Sequence, residues 1–195
     1  ARNDGLRFGS VGKLLRDVQV KIADDGEILV KGPNVMMGYY KEPEMTREAI
    51  DTDGWFHTGD IGKLDGDGFL FITGRVKEIF KTLKGKYVAP APIEGSFAQN
   101  TDVDQICLIG SNLFQPIMLV TLTPEARHKS RDELGKGLVS TMGIVNQSLE
   151  PHEEIAKVVV AKDSWTIDNG LMTPTMKVKR AQVEARYASL MEKEG

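Results

Sequence analysis

The chain has 195 residues, 41% of them hydrophobic and 27% charged, a composition typical of a globular protein with a modest core. Its net charge of −3 excludes a field that would favour nucleic acid, and no apolar run approaches the roughly 20 residues of a membrane-spanning helix. We therefore expect no nucleic-acid partner and no transmembrane segment. The single cysteine, Cys107, can form no intrachain disulfide, which favours a reducing, cytoplasmic compartment. The three histidines are widely spaced and none pairs with Cys107 at ligand spacing, so no metal site is predicted.

Residues 1–73 are predicted to be rich in β-structure. Residues 18–22 alternate apolar and polar side chains, residues 24–26 are a turn signal, and residues 27–31 form the returning strand. A second tight turn at 65–68 leads into a strand over 69–73, which Thr73-Gly74 should end. Residues 46–50 favour a short helical turn at best. We expect a small twisted sheet or partial barrel of several hairpins, and its abrupt start indicates a fragment of something larger.

Five cations follow this strand within twelve residues: Arg75, Lys77, Lys81, Lys84 and Lys86. A rigid apolar element that leads into a short basic connector is typical of a junction between two domains. Cations at such a junction could contact an anionic ligand. The alternative is a solvated turn with ordinary lysines.

The chain beyond the junction is predicted to mix helices and strands. A helix opening at Pro90 and running to about Asn100 is followed by strands at roughly 103–110 and 116–123. Apolar residues at helical spacing predict a further helix, which Pro151 stops and three glycines weaken; they are Leu134, Leu138, Met142, Val145 and Leu149. Residues 157–161 form another strand. A last helix places Val183, Tyr187, Leu190 and Met191 on one face. The fold class is therefore α+β, with two domains that meet near residue 75.

Three stretches could carry chemistry. In the first, residues 54–60, Asp60 follows a glycine and could accept two hydroxyl hydrogen bonds from a ribose, or it could bond its own backbone in a turn. The second is the junction, where Arg75 offers a planar fork suited to a phosphate or a vicinal diol. The third is a loop at 169–180 that presents Lys177 ahead of the final helix. On its own Lys177 would be read as a solvated surface lysine.

Taken in order, these segments resemble the C-terminal third of the acyl-adenylate-forming enzymes, the AMP-binding superfamily of acyl-CoA synthetases, firefly luciferase and peptide-synthetase adenylation domains. The resemblance runs through nearly all of the chain. It is carried by Gly26-Glu-Ile-Leu-Val-Lys-Gly-Pro33, Gly38-Tyr-Tyr40, Gly54-Trp-Phe-His-Thr-Gly-Asp60, Gly74-Arg-Val-Lys-Glu-Ile79, Lys84-Gly-Lys-Tyr-Val-Ala-Pro90 with Ile93-Glu94, and the loop at Lys177. It implies that residues 1–74 end a larger AMP-binding domain, that 75–78 are a hinge, and that 79–195 form a mobile C-terminal domain.

The resemblance also implies roles for single residues. Asp60 and Arg75 look like the pair that contacts the ribose of ATP, and Lys77 matches the hinge about which the C-terminal domain rotates. Lys81 falls at a lysine that some members use in the second half-reaction. Gly85 lies in the loop along the thiol's approach.

Lys177 matches the lysine of adenylate formation. Many members present that lysine after Ser-Gly or Asn-Gly, whereas Thr175-Met176 precede it here. The form found here is similar to that of long-chain fatty acyl-CoA synthetases, as is the stretch at 165–171 ahead of it. The resemblance therefore favours a fatty acid substrate.

The implied parent enzyme is an AMP-forming ligase that uses ATP, Mg²⁺ and coenzyme A to activate a fatty acid and transfer it to the thiol. The sequence has no Ser/Thr/Gly-rich phosphate loop, so we expect a fragment that is inactive without its own N-terminal domain. Such a parent would be cytoplasmic, and peripheral attachment to a membrane stays open. Three alternatives also stay open: a peptide-synthetase adenylation domain, an aryl-CoA ligase, and a non-catalytic binding module with the same fold.

Overall fold

A computed structural model of the chain describes residues 6–191, and the side chains of residues 6–189. The chain divides into two compact units, residues Ala1–Lys77 and Glu78–Gly195. This division falls inside the segment 75–78 that the resemblance assigns to a hinge, and the hinge role itself stays a prediction.

The first unit is built on a five-stranded antiparallel sheet. Its elements are β1 (Gly12–Lys13), β2 (Gln19–Ile22), β3 (Glu27–Lys31), α1 (Pro43–Ala49), β4 (Phe56–Leu64) and β5 (Phe69–Arg75). The strand order is β1-β5-β4-β3-β2, so the sheet is open over the described residues, with β1 and β2 at its edges. The predicted hairpin of β2 and β3 is confirmed, with Ile22 opposite Ile28 across the turn. Helix α1 is longer than the single turn expected at 46–50, and Pro43 occupies its first turn, where a missing N–H costs nothing.

Strand β4 was not predicted, and the expected end of β5 at Thr73-Gly74 was wrong, since β5 continues to Arg75. Glycines allow the two strands to approach closely. A Cβ added at Gly62 would lie 2.3 Å from the carbonyl oxygen of Phe71, so only glycine fits there. Gly74 pairs directly with Ile61.

The second unit carries a three-stranded sheet, a short hairpin and helices. Its elements are β6 (Phe80–Lys81), β7 (Tyr87–Val88), α2 (Pro90–Phe97), β8 (Val103–Ile109), β9 (Ile117–Leu122), α3 (Arg131–Asn146), β10 (Lys157–Val160), α4 (Arg180–Arg186) and α5 (Ala188–Met191). Short 3-10 turns lie at Val76–Glu78 and Ala126–His128. The sheet order is β10-β9-β8, with β10 parallel to β9 and β8 antiparallel to it. The strands and helices expected after residue 90 are therefore present, with bounds that shift by a few residues.

The core of the second unit lies on both faces of β9, whose run of apolar residues suits a central strand. Met118 and Val120 pack in one cluster with residues of α2 and α3. Ile117 and Leu119 pack in a second cluster with Trp165, among others. None of the helices within residues 6–191 is long and apolar enough to cross a bilayer.

The final helix is broken rather than continuous. Helix α4 ends at Arg186, and α5 begins at Ala188. The predicted inward face is confirmed for Val183, which is buried, and for Tyr187, whose ring centroid lies 6.5 Å from that of Trp165. The places of Leu190 and Met191 on that face lie outside the described side chains.

Candidate functional site

A bulge in β4 shapes the predicted ribose-binding motif, and Glu27 of β3 holds it in place. The register between β3 and β4 shifts beside Glu27, where residues 58–60 bulge out. One oxygen of the buried Glu27 carboxylate accepts a hydrogen bond from the N–H of Gly59 at 2.8 Å, and the other lies 2.8 Å from Nδ1 of His57. Gly59 has φ of +72°, a left-handed conformation that glycine adopts without strain. Glu27 therefore fixes the backbone immediately before Asp60.

Asp60 and Arg75 form an ion pair at the carboxyl end of β5. The two residues lie opposite each other in the β4–β5 ladder, and Nε of Arg75 lies 3.0 Å from Oδ1 of Asp60. Asp60 is thus a strand residue, which excludes the alternative of a turn residue bonding its own backbone. The Asp60 side chain is 23% exposed and the Arg75 side chain 58%, so the surrounding residues cover Asp60 more than Arg75. The pair combines an acceptor and a fork of donors, as a vicinal diol requires.

A cleft of about 390 Å³ opens in the first unit, lined by Arg75 of this pair and by Gly59 next to Asp60, and its size is within the range of small-molecule sites. Its wall is formed by the bulge, by the connector after β5 and by α1 with the loop before it. The residues concerned include Thr58, Gly59, Arg75, Lys77, Tyr39 and Glu48. Charged groups of both signs and an aromatic ring therefore surround the space next to the predicted ribose contacts.

Lys81 and Gly85 share the hairpin of β6 and β7. The buried Thr82 closes its turn, because its N–H donates to the carbonyl of Lys86 at 2.9 Å and its carbonyl accepts from the N–H of Gly85 at 2.9 Å. Gly85 has φ of +74°, so a side chain at this position would strain the turn. The ammonium of Lys81 lies 5.6 Å from the ring centroid of Tyr87. The hairpin thus presents the exposed ammonium of Lys81 and, at Gly85, a stretch of backbone without a side chain.

Lys177 ends a tight turn on a different part of the second unit. A bridge between Met172 and Val178 closes the turn, and the N–H of Lys177 donates to Oγ1 of Thr173 at 3.0 Å. Met176 has φ of +61°, which is rare for a residue with a side chain. Glycine adopts such a backbone without strain, and the methionine that adopts it here is 65% exposed. The Lys177 side chain is itself exposed.

Arg180 anchors the start of α4, three residues after Lys177. Its guanidinium makes two parallel contacts with the Glu94 carboxylate, at 2.7 and 3.0 Å, and also donates to the carbonyl of Leu108. Glu94 in turn accepts from the N–H of Leu108 at 2.6 Å. Burial opposes the charge of Arg180, but the hydrogen bonds to Glu94 hold the pKa of Arg180 above its ordinary value. We call this ion pair the Arg180–Glu94 clasp. Its two residues are 86 positions apart in sequence, so it ties α4 to α2 and β8.

Two titratable groups near the Arg180–Glu94 clasp, Cys107 and Glu184, have shifted pKa values. Burial raises the pKa of the Cys107 thiol to about 12, although Arg180 nearby opposes the shift. Burial also raises the pKa of Glu184, whose carboxylate accepts a hydrogen bond from Ser111 at 3.3 Å. In both groups burial disfavours the charged form.

The structure brings together some of the predicted site residues. Asp60 contacts Arg75, and Lys81 and Gly85 share a hairpin, whereas Lys177 lies on a separate turn. Sequence analysis assigned no role to Glu27 or to the Arg180–Glu94 clasp. An acid that opens the apolar strand 27–31 was the available signal for Glu27. No local sequence pattern predicts that Arg180 pairs with Glu94, 86 residues away.

Comparison with known proteins places the chain. The model of the AMP-binding enzyme C-terminal domain family matches residues 77–194. A long-chain-fatty-acid–CoA ligase of Mycobacterium tuberculosis is 38% identical, with 96% of this chain and 34% of that protein covered. Human long-chain-fatty-acid–CoA ligase 1 is 35% identical, with 86% of this chain and 27% of that protein covered. The chain thus spans about a third of the length of the curated relatives it matches.

Solved structures agree with this placement. The adenylation domain of a carboxylic acid reductase from Segniliparus rugosus, in complex with AMP and a co-purified carboxylic acid, is 25% identical with a TM-score of 0.77 and covers 93% of this chain and 32% of that one. The adenylation domain of a carboxylate reductase from Mycobacterium chelonae is 29% identical with a TM-score of 0.74, over 86% of this chain and 27% of that one. The family match covers more than half of the chain, and relatives and solved structures extend the likeness into the first unit. The chain therefore belongs to the AMP-binding, adenylate-forming enzymes and contains their C-terminal domain.

Proposed function

We propose that the chain is the carboxyl-terminal part of an AMP-forming ligase that joins a long-chain fatty acid to coenzyme A. Relatives that carry this name match almost the whole chain, while the chain covers about a third of them. The observation that carries the proposal is the Asp60–Arg75 pair: Arg75 lines a cleft of suitable size, and Glu27 holds the backbone of Gly59 immediately before Asp60.

The pair would hold the ribose of ATP. Asp60 accepts hydrogen bonds from the two hydroxyl groups, and the guanidinium of Arg75 donates to their oxygens. The bulge fixed by Glu27 sets the position of Asp60 before the nucleotide arrives, so little ordering is left to occur on binding. Mg²⁺ enters with the nucleotide as part of the substrate.

In the first step, an oxygen of the fatty acid carboxylate attacks the α-phosphorus of ATP. The bond from this phosphorus to the oxygen that bridges the α- and β-phosphates breaks, which gives acyl-AMP and pyrophosphate. Negative charge builds on the phosphate oxygens in the transition state. Lys177 supplies a cation next to these oxygens, on a turn whose backbone is fixed by Thr173 and, beyond it, by the Arg180–Glu94 clasp. Preorganised charge of this kind stabilises a transition state by several kcal/mol.

In the second step, the thiol of coenzyme A attacks the acyl carbonyl, its proton is released, and AMP leaves. We propose that the second unit turns about Lys77 between the steps, which withdraws Lys177 and brings the hairpin with Lys81 and Gly85 to the site. Gly85 leaves the backbone open along the thiol's path. The partners are then the fatty acid, ATP, coenzyme A and the protein's own upstream domain, in a cytoplasmic enzyme.

The solved structures also support a second candidate function. Because several are adenylation domains of carboxylic acid reductases, the same first step could instead serve an acyl group passed to a carrier-protein thiol. The measurement that separates the candidates is the acceptor: acyl transfer to free coenzyme A supports the ligase, and transfer only to a carrier protein supports the second candidate.

The test of the proposal is Lys177→Ala in the full-length protein. We expect acyl-AMP formation from palmitate to slow by about two orders of magnitude, the scale of losing one preorganised transition-state partner. Thioester formation from supplied palmitoyl-AMP should keep its rate. The two half-reactions are measured separately, by pyrophosphate release and by thiol consumption.

Lys179→Ala is the matched control, because Lys179 is an exposed lysine of the same segment whose backbone N–H bonds Leu171. It should leave both half-reactions unchanged. Equal loss of both steps in Lys177→Ala would remove the role assigned to Lys177.

A further inference from the structure

A groove on the second unit lies between α3 and β10, the edge strand of the three-stranded sheet. Its volume of about 750 Å³ is within the range of ligand-binding sites. Helix α3 contributes Leu134, Val139 and Met142, and the strand contributes Val158 and Val160. Val139 is 60% exposed and Val160 40%, so part of this apolar surface meets solvent.

Gly135 deepens the groove on the helix side. It lies in the second turn of α3 and lines the space, and a Cβ added there would meet no heavy atom within 4 Å. A glycine inside a helix costs up to about 1 kcal/mol relative to alanine. Packing does not require that cost at Gly135, because a side chain would fit.

The charged residues of the groove are all cations. Arg131, Lys157 and Lys162 line it, and no carboxylate does, although the whole chain carries a net charge of −3. Helix α3 connects the parallel strands β9 and β10 and must run back against them, which puts Arg131 and Lys162 at the same end. Among the described residues, neither of these two side chains has an ion-pair or hydrogen-bond partner. Glu133, two residues after Arg131, lies 3.8 Å from Lys129.

We propose that this groove binds one long-chain fatty acid, with the hydrocarbon along α3 and the carboxylate at Arg131 and Lys162. From Arg131 to Met142 the helix rises about 16 Å, so the apolar floor is elongated. Cations at the head and apolar side chains along the body match a ligand with one anionic end and an apolar tail. A flat membrane surface would not enter a concave groove, and a peptide would carry polar groups along its whole length.

The site lies within residues 122–162 and involves neither Lys177 nor the Asp60–Arg75 pair. It is therefore separate from the proposed reaction. The chain can bind a fatty acid here even if the proposed ligase function fails, and the two are tested independently.

The experiment is isothermal titration of palmitate, below its aggregation concentration, into the 195-residue chain. We expect one palmitate per chain, with octanoate and hexadecanol each at least about tenfold weaker because they lack the apolar length or the charge. Gly135→Leu fills the groove and should weaken palmitate at least about tenfold by removing the apolar area that the chain would cover.

Two matched controls accompany the variant. Gly143→Leu places the same side chain at another glycine of α3 with no heavy atom near its added Cβ, outside the groove, and should leave palmitate affinity unchanged. Both variants should fold, since leucine favours the helix over glycine, and circular dichroism verifies this. Lys136→Ala, on the same helix but outside the groove, should keep the preference for palmitate over hexadecanol, whereas Arg131→Ala with Lys162→Ala should abolish it.

Several outcomes would overturn the proposal. These are equal binding of palmitate to Gly135→Leu and wild type, equal weakening by Gly143→Leu, and hexadecanol binding as tightly as palmitate. Absence of saturable palmitate binding, together with a dimer that Gly135→Leu disrupts, would assign the groove to a second copy of the chain.

Discussion

One buried carboxylate, that of Glu27, satisfies two groups of β4 at once. It accepts from the N–H of Gly59 and lies within hydrogen-bond distance of His57, and both contacts secure the bulge that precedes Asp60. Losing this acceptor would leave the half-buried N–H of Gly59 unpaired. The position of the predicted ribose-binding residue Asp60 therefore depends on a neighbour to which sequence analysis assigned no role.

Replacing Glu27 with alanine should lower the free energy of unfolding of the first unit by about 1–3 kcal/mol, the scale of losing a hydrogen bond between a half-buried donor and a charged acceptor. A urea titration followed through the backbone amides of β3 and β4 measures this. Glu27→Gln retains an acceptor for Gly59 and should lose less. An alanine variant as stable as the glutamine variant would show that the carboxylate does not hold the bulge.

The thiol of Cys107 makes stability depend on pH in the alkaline range. Burial raises the pKa of Cys107 from 9.0 to about 12. Above pH 9 the unfolded thiol loses its proton while the folded thiol keeps it, so the unfolded state gains stability. The free energy of unfolding should fall between pH 9.0 and about 12, by at most about 1.4 kcal/mol per pH unit from this group.

Cys107→Ala isolates this contribution, because lysines and tyrosines titrate equally in both proteins. The difference between the unfolding free energies of wild type and variant should be constant below pH 9 and shrink above it. A difference that stays constant to pH 11 would contradict the raised pKa of the buried thiol.

At the scale of elements, the sequence predicted those whose apolar pattern is regular. The hairpin of β2 and β3 was predicted from the alternation of its first strand, and α3 was predicted from apolar spacing despite three glycines. Strand β4 was missed because Gly59, Gly62 and Asp60 resemble turn residues. Their role depends on a bulge and on a close approach to Phe71, which involve partners distant in sequence.

The candidate site shows the same division. The resemblance implied the roles of Asp60, Arg75 and Lys177, because the motifs that contain them are short stretches of sequence. It did not predict the contacts that position these residues. The clasp of Arg180 and Glu94 and the left-handed backbone at Met176 follow only from the folded structure.

The short 3-10 turn at Val76–Glu78 contains the proposed pivot, Lys77. Lys77→Pro would fix its φ near −65° and stiffen the connector. If the second unit turns about Lys77, one half-reaction of the full-length protein should survive while the other collapses. The two steps are measured separately, as for Lys177.

Lys77→Ala provides a comparison, since it removes the same side chain and leaves φ free. It should not separate the two half-reactions, even if it slows both. Rates of both steps unchanged in Lys77→Pro would place the pivot elsewhere.

At the scale of the whole molecule, the proposed function divides the work between parts of a larger protein. It would assign the ribose contacts to the Asp60–Arg75 pair of the first unit, and in the second unit one step to Lys177 and the other to the hairpin of β6 and β7. The sequence contains no Ser/Thr/Gly-rich phosphate loop. The contacts to adenine, phosphates and the acyl group would then come from the upstream domain.

The 195-residue chain alone should therefore fold, at least from residue 79 onward, and be catalytically inactive. Two ribose contacts together contribute a few kcal/mol at most before ordering costs, and they cannot replace the missing interactions with the phosphates and adenine. Isothermal titration should detect no ATP binding tighter than roughly millimolar, equivalent to about −4 kcal/mol. Fatty-acid-dependent exchange of pyrophosphate into ATP should be absent. Since the first unit alone could still hold a nucleotide weakly, exchange is the decisive measurement: activity above background from the purified chain would mean that it contains its own phosphate site, and the proposed division of labour would fail.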